Sequence, residues 1–132
     1  MAQADIRAAR PLSPHLSVFR PLMTMVMSIV HRITGCGLYF GTLILAWWLL
    51  AIAAGPDAFF YASWFFSSWI GVLFLFVYTW ILLHHMLGGI RHLYWDTGAG
   101  FDRASRNALA WATLIGSISL TIIVWIVGIL VR

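Results

Sequence analysis

The chain has 132 residues, 62% of them hydrophobic and 9% charged, with a mean hydropathy of +0.92. A soluble globular domain is about half apolar and about a quarter charged, so this balance excludes one. The formal charge of +4 is the balance of eight basic and four acidic residues; the basic ones are all arginines, most of which flank apolar segments, and they form no basic face with interleaved aromatics, so a nucleic-acid partner is excluded on that ground.

In chain order, residues 1–21 read as an N-terminal arm. The stretch MAQADIRAARPLSPHLSVFR has neither an apolar core nor a small-residue cleavage site, so no cleaved signal peptide is expected. Pro11, Pro14 and Pro21 argue against one continuous helix. A segment lying along the membrane surface or a soluble partner fits, and so does a disordered tail.

Residues 22–132 read as an all-α transmembrane domain with spans over about 22–54, 64–92 and 106–131. Each exceeds the ~20 residues that a helix rising 1.5 Å per residue needs to cross the hydrocarbon core. No segment shows the ~10-residue alternation of an outer-membrane barrel. The eight tryptophans suit interfacial belts and helix packing. Cys36, the single cysteine, cannot form an intrachain disulfide and is expected to be a small packing residue.

The arginines are distributed unevenly. Arg7, Arg10 and Arg20 precede the first span, and Arg91, Arg103 and Arg106 flank the second connection, whereas AAGPDAFF between the first two spans has none. The positive-inside rule places the arm and the second connection in the cytoplasm.

The first span carries SIVHRITG, in which Ser28, His31 and Arg32 stand at i, i+3 and i+4 and share one face with Gly35. A charge at membrane depth costs about 2.5–3.5 kcal/mol on insertion scales near a helix centre, and such residues face a bundle interior or a wet cavity. Snorkelling by Arg32 and packing by His31 are equally compatible with the pattern.

The second span ends in LLHHMLGGIRHLYWD. His85 and His92 lie two turns apart on one face, with Gly88 and Gly89 between them. A surface without side chains next to an imidazole suits a planar macrocycle whose iron is held by histidine. Glycine faces are also ordinary packing seams, so the pattern leaves both readings open. His84 is rotated about 100° from His85 and points away from the glycines, which makes His85 the candidate ligand. One short helix cannot approach iron from both sides, so a sixth ligand must come from another helix. His31 or a different chain would serve.

RPLSPHLSVF followed by SIVHRITG and then HMLGGIRHLYWD, in a three-span chain of this length, resembles the cytochrome b556 membrane-anchor family of succinate dehydrogenase, respiratory complex II. The resemblance covers nearly the whole chain. It implies that the three helices form half of a two-subunit bundle, with a b-type haem shared between this chain and a second three-helix anchor subunit and ligated by a histidine from each. The matching residue here is His85, with Gly88 and Gly89 facing the haem and His31, Arg32 and His92 near its propionates. It implies an iron-sulfur subunit and a flavoprotein subunit docked on the cytoplasmic or matrix side, and ubiquinone bound beside Ser28, Ile29 and Arg32. Tyrosine is common where this chain has His84. The implied location is a bacterial inner membrane rather than a mitochondrial one, with the N-terminus cytoplasmic.

Quinone reduction takes up two electrons and two protons. A Ser28 hydroxyl donor and the Arg32 charge would stabilise negative charge developing on the quinone oxygens. The Arg32 fork suits haem carboxylates equally well. Arg91 and His92 are expected at the interface, and Asp96 as either a proton entry or a solvated helix end. Nothing in the chain resembles a flavin or dicarboxylate site, so succinate oxidation belongs to partner subunits. A quinol:fumarate reductase anchor, or a cofactor-free scaffold or transporter subunit, is the competing reading.

Overall fold

The computed structural model describes residues 18–131; the proline-rich part of the arm, with Arg7 and Arg10, lies outside them. Four helices follow in order: α1 Met23–Ala54, α2 Pro56–Ser67, α3 Trp69–Asp96 and α4 Arg103–Leu130. Of these, α1, α3 and α4 are long and apolar enough to cross a membrane. At 1.5 Å per residue they reach about 42–48 Å, more than the ~30 Å hydrocarbon core, so their ends extend into the headgroup regions or the helices tilt.

The first connection differs from expectation. The second span begins at Trp69, not Trp64, and residues 56–67 form a separate helix. Hydropathy does not register the break because α2 is itself apolar. The backbone does: α1 stops at Gly55, whose φ of 109° is open to glycine and costly for other residues. Pro56 then opens α2, where its missing N–H is harmless. At the far end Ser68 leaves the helical region, and its hydroxyl accepts from the Gly71 amide at 3.1 Å to start α3. A Cβ at Gly71 would overlap the Phe65 carbonyl oxygen, so the corner closes only over glycine.

The third span begins at Arg103, three residues earlier than expected, because Asp102 caps it: its carboxylate accepts from the Ser105 amide at 2.9 Å. Ser105 holds the Asp102 carboxyl below its ordinary value, first through its side chain and then through its amide.

α3 is central, packing against both α1 and α4. Apart from Met27, the interior is made mostly of small and polar residues: Thr34 and Gly41 from α1, Gly88 from α3, Ala110, Thr113, Ser117 and Thr121 from α4. Small residues let membrane helices approach closely where lipid offers no hydrophobic drive to associate. The α4 hydroxyls satisfy themselves on their own helix, Thr113 to Leu109, Ser117 to Leu114 and Thr121 to Ser117. Large apolar side chains instead face outward along all three spans, as a lipid-facing or subunit-facing surface requires. Cys36 is on that outer surface and not in the packed interior.

Candidate haem and quinone site

α1 and α3 cross where SIVHRITG meets HHMLGG. The His31 and His85 rings stack with centroids 4.1 Å apart and planes inclined by 6°. Each ring also bonds to the other helix's main chain. His31 Nε2–H donates to the His85 carbonyl at 3.2 Å, and His85 Nδ1–H donates to the His31 carbonyl at 3.1 Å. A carbonyl only accepts, so this reciprocal clasp protonates His31 at Nε2 and His85 at Nδ1. The lone pair of His85 is thereby left on Nε2, which has no hydrogen-bond partner among the described residues.

That arrangement is what a metal-ligating imidazole needs: one nitrogen anchored to a backbone carbonyl, the other bare. His85 fits a b-type haem on this evidence. His31 does not fit as the opposing ligand. Its ring lies face to face with that of His85, on the same side of any group bound at Nε2, and its own Nε2–H is committed to the His85 carbonyl.

The glycines divide. A Cβ at Gly88 would overlap His31 Cδ2, so Gly88 is a seat for that imidazole and not the open surface expected of it. A Cβ at Gly89 would meet nothing within 4 Å, and there the chain does present a bare surface. On α1, a Cβ at Gly35 would stand 3.0 Å from His85 Cε1, so the His85 ring sits in a slot between Gly35 and His31.

His84 takes the opposite direction, as the 100° rotation predicts. It is fully buried against α4, with Nδ1 3.1 Å from Ser117 Oγ. The Ser117 proton goes to the Leu114 carbonyl, so Ser117 accepts from His84 Nδ1–H, and His84 Nε2 is buried without a partner among the described residues. Arg91 corrects the expectation of an interfacial residue. Seven residues from His84, it lies on the same inward stripe and is 4% exposed. Its guanidinium carbon is 5.2 Å from the Trp95 ring centroid, a distance at which a cation and a ring attract. Its Nε and Nη1 have no hydrogen-bond partner among the described residues. His92 does lie at the surface, its ring centroid 5.3 Å from that of His31.

Ser28 is half-buried, while Ile29 and Arg32 are exposed. No hydrogen bond or ion pair from Ser28 or Arg32 is formed among the described residues. A cleft of about 310 Å³ opens between α1, α2 and α3, lined by Gly41, Trp48, Phe66, Phe74 and Tyr78 among others. It lies toward the opposite ends of the helices and is apolar, with nothing resembling the Ser28 and Arg32 pair.

The family model for the succinate dehydrogenase/fumarate reductase transmembrane subunit matches residues 6–124. The chain belongs to this family. The succinate dehydrogenase cytochrome b556 subunit of Paracoccus denitrificans is 40% identical over 94% of this chain and 96% of its own length. That of Rickettsia prowazekii is 37% identical over 92% and 95%. A mitochondrial succinate dehydrogenase cytochrome B subunit from Schizosaccharomyces pombe is 40% identical over 71% of this chain and 55% of its own. The chain is thus a multi-pass membrane subunit of the succinate dehydrogenase/fumarate reductase cytochrome b type.

Sequence reasoning about this transmembrane subunit missed Thr34. Threonine in a membrane helix usually bonds to its own helix and is ordinary packing, so its type carries no signal. Its position does: it is three residues from His31 and next to Gly35, within the crossing motif. Ser117 drew no attention in the third span, and Arg91 was expected at the interface; their places became legible only when α3 and α4 were packed together.

Proposed function

We propose that this chain is a membrane-anchor and cytochrome b subunit of succinate:ubiquinone oxidoreductase. It joins a second three-helix anchor subunit to hold one b-type haem, and with it docks the iron-sulfur and flavoprotein subunits for electron transfer from succinate to ubiquinone. The observation that carries the reading is His85, anchored through Nδ1–H and bare at Nε2. The names of the relatives support it, since each specifies a cytochrome of succinate dehydrogenase.

His85 Nε2 would ligate the iron, and His31, Arg32 and His92 are the polar groups on this chain nearest in sequence or space to serve its carboxylates. The haem supplies a one-electron redox centre when bound. Ser28 would donate a hydrogen bond to a quinone carbonyl, Arg32 would bring positive charge to the oxygens on which negative charge develops, and Ile29 would pack against the ring. These groups act most strongly where water is excluded. The arginine asymmetry supports a cytoplasmic N-terminus, in a membrane that we read as a bacterial inner membrane.

The test is the reduced-minus-oxidised spectrum of the purified complex. His85→Leu is expected to abolish or greatly alter the b-type bands, whereas His84→Leu, which loses the Ser117 hydrogen bond and the packing on Trp80, keeps six-coordinate low-spin haem. Bands that survive His85→Leu and vanish with His84→Leu would overturn the assignment.

A further inference from the structure

The His31 carbonyl serves two side chains from outside the helical ladder. Thr34 Oγ1 donates to it at 2.9 Å and His85 Nδ1–H at 3.1 Å, while Thr34 Oγ1 itself stands 3.4 Å from Nδ1. Thr34 is 2% exposed, so bulk water does not compete with this arrangement. From this convergence we propose that Thr34 tunes the reduction potential of the haem by restraining how strongly the His31 carbonyl accepts from His85, an inference resting on His85 as axial ligand.

When the far N–H of a ligating imidazole donates to a strong acceptor, the imidazole becomes a better donor to the metal. The more positive, oxidised iron gains most, and the potential falls. Two donors on one oxygen draw on the same lone-pair density, so each weakens the other. The Thr34 bond is the shorter and takes its share of the carbonyl. In return Thr34 offers Nδ1–H a second acceptor, but at 3.4 Å that contact lies beyond the 2.7–3.2 Å range of ordinary N–H···O bonds. The restraint on the carbonyl therefore outweighs the extra acceptor. The slot between Gly35 and His31 keeps the ring from rotating away, so a change at the carbonyl reaches the ligand. Thr34 is a positioning residue acting through His85.

The experiment is a redox titration of the haem in the assembled complex, followed optically. Thr34→Val removes the hydroxyl at nearly constant volume. The expected result is an intact low-spin spectrum with the reduced-to-oxidised ratio at fixed ambient potential lowered about threefold, a midpoint about 28 mV more negative at 59 mV per tenfold for one electron. Thr34→Ser, which keeps the donor, returns the midpoint to the unmodified value. Should Thr34→Val fail to assemble with haem, Thr34→Ala removes the same hydroxyl and is read in the same way. A hydroxyl that serves only to bond back to its own helix would leave the potential where it was, so an unmoved or more positive midpoint in the hydroxyl-free variant overturns the proposal. His85→Leu is measured alongside. If its bands persist, the ligand assignment falls and the proposal with it; if they are lost while the hydroxyl-free midpoint stays put, the proposal falls alone.

Discussion

Arg32 is exposed and Ser28 half-buried, neither with a partner among the described residues, while their neighbour His31 is committed to the crossing. One stretch of α1 thus carries a structural histidine beside the two polar groups that the proposed function assigns to the quinone. Ser28→Ala and Arg32→Leu are expected to slow quinone reduction by about 10²–10³-fold each, the usual loss when one donor to a developing charge is removed. Succinate oxidation assayed with a soluble artificial acceptor in the same complex should stay near normal. Equal slowing in both assays would indicate failed assembly instead. The distinction between His84 and His85 is legible in the sequence because adjacent helical residues diverge by a fixed angle. The role of Thr34 is not, because it depends on which carbonyl a ring from another helix approaches, and no periodicity within α1 encodes that.

At the scale of elements, the spans were legible from apolar length, as were both ends of the first and the end of the third, whereas the starts of the second and third were not. Trp64, Phe65 and Phe66 are as apolar as the membrane, so hydropathy runs through the corner that Gly55 and Ser68 make. Asp102 likewise starts α4 among polar residues that a hydropathy reading assigns to the loop. Two predictions test the packing between elements. Gly88→Ala should displace His31 and open the clasp, lowering haem content and thermal stability together, with about 1–3 kcal/mol as the usual cost of overpacking. Gly89→Leu meets nothing within the chain, so helix packing should persist while haem content in the complex drops; unchanged haem content would show that no macrocycle covers that surface. A third concerns the cap. Folding lowers the Asp102 pKa, so its contribution is complete above the ordinary aspartate range and is lost as pH falls through the lowered value. Protection of the Ser105 amide against hydrogen exchange should follow that course, and Asp102→Asn, which still accepts but does not titrate there, should flatten it.

For the molecule as a whole, the starts of α1 and α4 and the end of α3 gather at one side of the bundle, with Gly55 and α2 at the other. His31 is eight residues into α1, about 12 Å along it, so the clasp lies in the half nearer Arg20, Arg103 and Arg106. A reporter active only outside the cytoplasm should be silent when fused after Arg20 or Arg103 and active when fused at Gly55; the opposite pattern would reverse the orientation and move Ser28 and Arg32 away from cytoplasmic partners. The clasp also has a thermodynamic consequence. Because the His85 ring is held by the main chain of α1, its readiness to bind and the association of two spans are linked quantities. Linkage is reciprocal: whatever binds more tightly to the clasped ring must strengthen the α1–α3 association by the same factor, and whatever parts the spans must weaken binding equally. Occupancy at one nitrogen is in this sense a measure of the integrity of the whole bundle.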